Sequence, residues 1–336
     1  MVICEEYDLS YLVYEQTRRM NDLWSVLEMK ESVITESTDL RVLNEAMADT
    51  IRSYMNKVVQ GIQQVWNKFK ERVRYIGKEI LLKKYSEEEI KKALQAENVA
   101  AVNVTNFYDY DLDKLKGITL KTFDYRAMVS SLGSKEAFLK ANYPDFYKDE
   151  KANMKSNIKT YITKSKQDSH DVTKQELQAM VDFVLKGETE LVQSIQKNID
   201  TINKTSQNID SLANEISQQE PKQESGMSFA RTMEYYFQEA DEEKMTVTPD
   251  EKKDENGEEK KPDQSKQIKD AVTVFMKAST EIFSAQLAVS SEILNIYVRI
   301  ISKYMSNWKA GNKKENEETK PEEDTGTDNT KIVQIK

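Results

Sequence analysis

Two side chains of the types most used in metal and nucleophilic chemistry occur once each, His170 and Cys4. A zinc site needs several His or Cys ligands, and a serine–histidine–acid triad would have to be built on His170. That histidine stands among Gln, Asp and Ser, in a stretch that we interpret as an exposed polar turn. The sequence contains neither common spacing of a glycine-rich phosphate loop. We therefore predict no enzymatic activity, no catalytic residue, no metal and no cofactor.

One acidic stretch has a spacing that could bind a cation. In YDYDLD, from Tyr108 to Asp113, acids alternate with other residues as they do in a calcium loop. A calcium loop also requires a central Gly and a terminal bidentate Glu, and both are missing here. The pattern therefore favours the solvated edge of a strand.

Positive charge is concentrated in one segment of an otherwise acidic chain. Arg52 to Lys84 holds nine basic residues and two acids, within a protein of net charge −9. A basic helix of this kind binds nucleic acid or an anionic membrane surface. It can also pair with the chain's own acidic segments, Glu239–Asp263 and Gly311–Thr330. All three partners stay open, and the candidate contact residues are Lys68, Lys70, Arg72, Arg74 and Lys78.

The sequence ends in KIVQIK, after about twenty residues with almost no apolar content. Ile332, Val333 and Ile335 therefore have no local core to join. Val333 and Ile335 would share one face of a strand, which suits addition to a sheet edge or groove of a partner. The acidic tether would let this segment reach such a partner. The alternative is an ordinary frayed tail.

Long helices must position these residues, because an apolar side chain returns every three or four residues from Leu40 to Ile80. The steps follow 3, 4, 4, an eleven-residue repeat that predicts a nearly straight or slightly right-handed helix over Asp39–Tyr85. A membrane-lying helix is the alternative to a core-facing one. The stripe consists of Leu40, Leu43, Met47, Ile51, Tyr54, Val58, Ile62, Val65, Phe69, Val73, Ile76 and Ile80.

Composition predicts the fold class. The chain has 336 residues, 32% of them charged, with only nine Gly and five Pro to make turns. We predict an all-α, elongated bundle of about seven helices, with long hendecad and heptad helices and a minor β insert. The expected segments are short helices (1–36), a long helix with a following short helix (37–97), the β insert (98–125), a helical bundle region (126–240), an acidic linker (241–266), a long C-terminal helix (267–310) and an acidic tail (311–336).

Local signals add detail within these segments. Ser86 and Glu89 form a capping-box pattern, and Pro144 makes Tyr143 a helix boundary within Lys135–Lys164. VAAVNVTNFYDY is rich in β-branched and aromatic residues, and GITLKTF resembles a second strand after the Gly117 turn. We expect a small hairpin or an irregular insert here. Glu188 to Gln218 has apolar steps of 3 and 4, the heptad pattern.

Signals for secretion or membrane insertion are missing. MVICEEYDLSY has acids where a signal peptide needs Lys or Arg. The most apolar stretch, Ala271 to Met305, is interrupted by charges and predicts no ordinary spanning helix. We expect a protein that is soluble and intracellular when made.

Two segments carry a family resemblance: LNEAMADTIRSYMNKVVQGIQQVWNKFKERV and, far downstream, AVTVFMKASTEIFSAQLAVSSEILNIYVRIISKYM. They resemble internal structural virion proteins, of prohead-core or scaffold type, of large tailed bacteriophages. The resemblance implies a helical component of a phage particle, made in the bacterial cytoplasm, with other virion proteins and copies of itself as partners. It carries over no functional residues. The alternatives are a membrane-associating helical effector and a virion protein that contacts nucleic acid through residues 52–84.

Overall fold

A computed structural model describes residues 9–31, 37–97, 99–125, 134–218 and 264–318. Within these ranges the protein is mostly helical, with one two-stranded sheet, which confirms the predicted class. In chain order the elements are α1 (Leu9–Glu31), α2 (Ser37–Arg74), a π-helix (Tyr75–Leu82), α3 (Glu87–Gln95), β1 (Val102–Tyr110), α4 (Leu112–Lys116), α5 (Lys135–Asn142), α6 (Met154–Ile162), β2 (Thr163–Val172), α7 (Lys174–Lys186), α8 (Glu190–Gln218) and α9 (Gln264–Glu318).

The chain divides into two compact units. The first comprises Met1–Arg74, Tyr108–Lys166 and Lys186–Ile293, and the second comprises Tyr75–Phe107, Gln167–Leu185 and Leu294–Lys336. Helix α9 contributes its first part to the first unit and its second part to the second.

In the first unit the predicted apolar stripe of α2 faces the core, where α2 packs against α1 and α8. The indole of Trp66 is buried beside the stripe, and its Nε1 donates to Oε1 of Gln196 on α8 at 3.0 Å. The stripe is therefore a packing surface, as its periodicity predicts. Its buried members in this unit are Met47, Ile51, Tyr54, Val58, Ile62, Phe69 and Val73.

The first part of α9 is the most enclosed helix segment of the first unit. From Gln267 to Ile293 every residue is buried or half-buried. Helix α2 contacts this segment through Trp66, whose ring centroid lies 6.3 Å from that of Phe283. Phe138 of α5 packs on Phe275 with ring centroids 5.9 Å apart. A helix with so little exposed surface must be apolar around most of its circumference, which explains the broad apolar content of this segment.

A buried polar network joins α8, α9 and the segment after α4. The side-chain oxygen of Asn198 accepts from the backbone N–H of Leu120 at 2.8 Å. Its amide group donates to the carbonyl of Ile118 at 3.0 Å and to Oε1 of Gln286 at 2.8 Å. The Gln286 amide in turn donates to the carbonyl of Leu115 at 3.0 Å. Because both side chains are fully buried, these bonds specify how the three segments align.

The heptad prediction for α8 agrees with its burial. Ile195, Ile199, Ile202 and Ile209 are at most 2% exposed, and Ala213 is also buried. Asn and Thr side chains occupy further buried positions of the same helix, so packing and hydrogen bonding together hold it in place.

In the second unit, the prediction that the apolar stripe continues to a buried Ile80 is wrong. Tyr75 to Leu82 form a π-helix, whose wider turn moves the buried position one residue along the chain. Ile80 is 37% exposed, whereas Leu81 is fully buried. Gly77 lies within this helix, where an added Cβ would come within 3.2 Å of the carbonyl oxygen of Val184. The close approach of α7 thus favours glycine, because a larger residue would push the two helices slightly apart.

This register leads to a prediction at two neighbouring residues. We expect Leu81→Ala to lower the free energy of unfolding by about 2–4 kcal/mol, because it empties a buried site. Ile80→Ala, the matched control, should cost less than about 1 kcal/mol. Urea denaturation followed by circular dichroism measures both. A larger loss of stability in Ile80→Ala than in Leu81→Ala would mean that Tyr75–Leu82 keeps the α-helical register and that Ile80 is the buried residue.

Of the two alternatives for the β insert, the hairpin is wrong. β1 forms as expected, but its partner is β2 and not the GITLKTF segment. Asp111 donates its backbone N–H to Ile162 at 2.7 Å, and the Asn103 side chain bonds to Ser169 and Asp171. These pairings make the strands antiparallel. Residues 118–124 instead follow an irregular path, with Leu120 bound by the buried network.

Other local predictions are confirmed. Ser86 and Glu89 make the reciprocal hydrogen bonds of a capping box at the start of α3. Tyr143 is the C-cap residue of α5, directly before Pro144.

Asn106 has a φ of 52°, and it follows exposed Thr105, so the alternation of buried side chains in β1 changes phase there, as in a β-bulge.

Candidate binding surfaces

The predicted basic residues of α2 lie on two sides of the helix. Lys68 and Arg72 are four residues apart and share one side, while Lys70 and Arg74 share the other. Around the helix axis, the buried side with Phe69 and Val73 lies between the two pairs in one direction. In the other direction, exposed Glu71 lies between the two pairs.

Two of these four cations are already partly engaged with the protein. Lys70 is half-buried, and its Nζ lies 5.6 Å from the centre of the Trp66 ring, within cation–π range. Arg72 is also half-buried. Lys68 and Arg74 are exposed, as is Lys78 on the π-helix of the second unit. The structure thus does not gather the four α2 residues on one face, and their role as a contact for nucleic acid or membrane stays a prediction.

Ile332, Val333 and Ile335, the predicted docking residues, lie outside the described residues. The acidic linker, apart from its last residues, and most of the acidic tail also lie outside them. The docking role of KIVQIK and the charge pairing of these segments remain predictions.

A cluster of lysines and tyrosines that the sequence analysis did not identify lies in the first unit. Tyr108 and Tyr110 follow each other on one side of β1, with parallel rings 5.9 Å apart. The ammonium of Lys159 on α6 lies 5.2 Å from the Tyr108 ring, and that of Lys166 on β2 lies 5.7 Å from it. These tyrosines belong to the YDYDLD stretch, and among the described residues no group of His, Cys, Asp and Glu is arranged to hold a metal ion.

Glu292 of α9 connects this cluster to the core helix. Its carboxylate bonds to Nζ of Lys159 at 2.6 Å and to Nζ of Lys155 at 3.2 Å. Burial on its own would raise the pKa of Glu292, but the hydrogen bonds and charges of the two lysines outweigh it and lower the pKa. Glu292 and Lys159 are about one-third exposed and Lys155 is 47% exposed, so solvent screens both pairs and their contribution to stability is small.

A pH dependence follows from the sign of this shift. A carboxyl whose pKa is lower in the folded state contributes stability above its unfolded value, near 4.5, and loses it as the pH falls through the folded pKa. We expect the free energy of unfolding to fall more steeply between roughly pH 5 and pH 3 in the wild type than in Glu292→Gln. Glu71→Gln, at an exposed site, is the control and should follow the wild type. Equal slopes for all three proteins would show that the Glu292 pairs contribute nothing.

His170 lies in β2 and not in the predicted turn. Its ring stacks on Phe107 with centroids 4.4 Å apart, and its Nε2 lies 2.8 Å from Oε2 of Glu176. Glu176 also accepts from the backbone N–H of Thr173 at 2.8 Å. Burial opposes the ionised form of Glu176, but the hydrogen bonds from His170 and Thr173 outweigh it and lower the pKa. This arrangement ties the end of β2 to the start of α7, which is a structural use of the histidine.

Comparisons with models of protein families, with characterised proteins and with experimentally determined structures find no match to this chain. Among the described residues, no helix combines the length and the apolar content needed to cross a membrane.

Proposed function

We propose that this chain is a non-enzymatic structural or scaffolding component of a bacteriophage particle, in the capsid interior or the prohead core. It acts by helix packing, with other virion proteins and further copies of itself as partners. The observation that carries the proposal is the burial of the first part of α9, in which every residue from Gln267 to Ile293 is buried or half-buried. The segments that resemble phage virion proteins fall on α2 and α9, the two helices that supply much of this core.

The long periodic helices support the same proposal. α2 follows a hendecad pattern and α8 a heptad pattern, and the two helices pack against each other. Exposed apolar side chains remain on the outer surface of α1 and at the start of α2, including Tyr14, Leu23, Val26 and Val42. Such side chains give a helical protein a surface for association with a second copy or another protein.

The alternatives receive less support from the packed structure. Membrane docking through α2 needs its apolar side, yet Ile62 and Trp66 are at most 1% exposed. Lipid contact would therefore require α2 to separate from α1 and α8. Nucleic-acid binding through α2 would be served best by one continuous basic face, whereas Lys68 and Lys70 point to different sides.

Quantitative mass spectrometry of purified particles tests the proposal. Phage from lysates in which this chain is produced should contain it at tens of copies or more per particle, as expected for a structural part. Its ratio to the major capsid protein should stay constant through successive gradient purifications. A chain that is abundant in the lysate but is lost from the particles during purification would refute the structural role.

A further inference from the structure

A surface cleft of about 500 Å³ lies in the first unit, where α4, α6 and the turn after α5 meet. Its walls include the rings of Phe146 and Tyr161, whose centroids are 5.9 Å apart. Lys114, Asp145 and Lys148 bring charged groups to it. The volume is within the range of small-molecule sites, which combine an apolar wall with a few polar groups.

The backbone around the cleft is held by specific hydrogen bonds. Asn157, which is 4% exposed, accepts from the N–H of Asp149 at 3.1 Å and donates to its carbonyl at 2.8 Å. Asp111 caps α4 by accepting from the backbone N–H of Lys114 at 3.1 Å. The turn that carries Asp145 and Phe146 is closed by the N–H of Tyr147, which donates to the carbonyl of Tyr143 at 2.9 Å. The cleft is therefore largely pre-formed, and a ligand need not order it.

The charges in the cleft have no ionic partner in the described part of the chain. Neither lysine, Lys114 or Lys148, pairs with a carboxylate there, and Asp145 pairs with no cation. Instead, Nζ of Lys114 lies 5.1 Å from the centre of the Tyr161 ring. Elsewhere in the first unit, exposed Lys140 pairs with Glu150 at 2.9 Å. Two cations and one carboxylate are thus available to a ligand beside an aromatic wall.

We propose that this cleft binds a phosphorylated nucleoside, either free or as the end of a nucleic-acid strand. The base packs against the half-buried Tyr161, which Phe146 supports from the core, because aromatic rings stack on any base. Lys114 leaves the Tyr161 ring and, with Lys148, binds the phosphate through charge-assisted hydrogen bonds. Asp145 accepts from a sugar hydroxyl, as carboxylates do in nucleotide sites. This site is independent of the basic residues of α2 and of the proposed role in the particle.

Isothermal titration of the full chain with adenosine monophosphate, adenosine and inorganic phosphate tests the assignment. We expect saturable binding of the monophosphate, and at least about tenfold weaker binding of the other two, because each lacks one half of the recognised chemistry. Lys148→Ala and Tyr161→Leu should each weaken monophosphate binding by about tenfold or more. Lys151→Ala, a nearby exposed lysine that does not line the cleft, should leave it unchanged.

Two further arms complete the experiment. Thermal melting of Lys148→Ala should match the wild type, since that side chain is exposed, so a loss of binding cannot come from unfolding. The second arm uses a 5′-phosphorylated tetranucleotide. If it binds more tightly than the monophosphate and responds in the same way to Lys148→Ala, the ligand is the end of a strand. If it binds more weakly, the ligand is the free nucleotide. Absence of saturable monophosphate binding, equal affinity for phosphate alone, or an equal loss in Lys151→Ala would overturn the proposal.

Discussion

Replacing Ile62 by Asp should abolish cooperative folding or lower the free energy of unfolding by more than about 3 kcal/mol. Ile62 is fully buried on the side of α2 that faces the core of the first unit. An unpaired carboxylate at such a site must either be buried without a partner or take up a proton, and both cost several kcal/mol. Because small domains are stable by only about 5–15 kcal/mol, the change is a large part of the total.

Gln64→Asp is the matched control, because it places the same carboxylate two residues away on the exposed side of the same helix. Urea denaturation followed by circular dichroism should show a nearly unchanged midpoint for this variant. If Ile62→Asp melts like Gln64→Asp, the apolar side of α2 is accessible to solvent and the membrane alternative becomes the better explanation.

Replacing Asn198 by Ala should lower the free energy of unfolding by about 3 kcal/mol or more. The substitution removes the acceptor of the backbone N–H of Leu120 and the donor to the side-chain oxygen of Gln286, both inside the core. Each buried polar group without a partner costs roughly 1–3 kcal/mol. Chemical denaturation measures the loss. Asn208→Ala, at an exposed position of the same helix, should change stability by less than about 1 kcal/mol.

A double-mutant cycle refines this second prediction. If Asn198 and Gln286 act as one network, the double Ala variant should be more stable than the sum of the two single losses implies, by about 1 kcal/mol or more. Additive losses would mean that the two side chains stabilise separate parts of the core, which would contradict the network described above.

The sequence predicted the helical framework well because burial and periodicity are linked directly. A side chain that recurs every 3.6 residues identifies the packed side of a helix without knowledge of its partner. The stripe from Met47 to Val73 was predicted in this way. The π-helix was missed because Ile80 and Leu81 are both apolar, so the sequence pattern fits either register.

The second strand was missed for a different reason. Thr163–Val172 reads TKSKQDSHDV and is mostly exposed, so it lacks the alternation of apolar and polar residues by which a strand is recognised. Pairing with β1 forms this strand, and that pairing depends on residues about sixty positions away in the chain. Tertiary context of this kind has no local signal.

The groups that make up the surfaces of the first unit are also far apart in sequence. Lys159 and Glu292 bond to each other across 133 positions, and Asn198 and Gln286 across 88. A single sequence with 58 acids does not indicate which of them meets a given lysine. The charge run of α2 was visible, but the division of its cations between two sides depends on where the buried face lies.

The central claim is that the long helices α2 and α9 are packed in the core of the protein. Hydrogen exchange measured by mass spectrometry tests this claim most directly. The amides of Gln267 to Ile293 should exchange only by global unfolding, because every residue there is buried or half-buried. Those of Met47 to Val73 should follow closely, because one side of that helix is packed in the core. Addition of anionic lipid vesicles should leave this protection unchanged. Exchange of either segment within minutes, or a change in the protection of α2 when vesicles are added, would contradict the account.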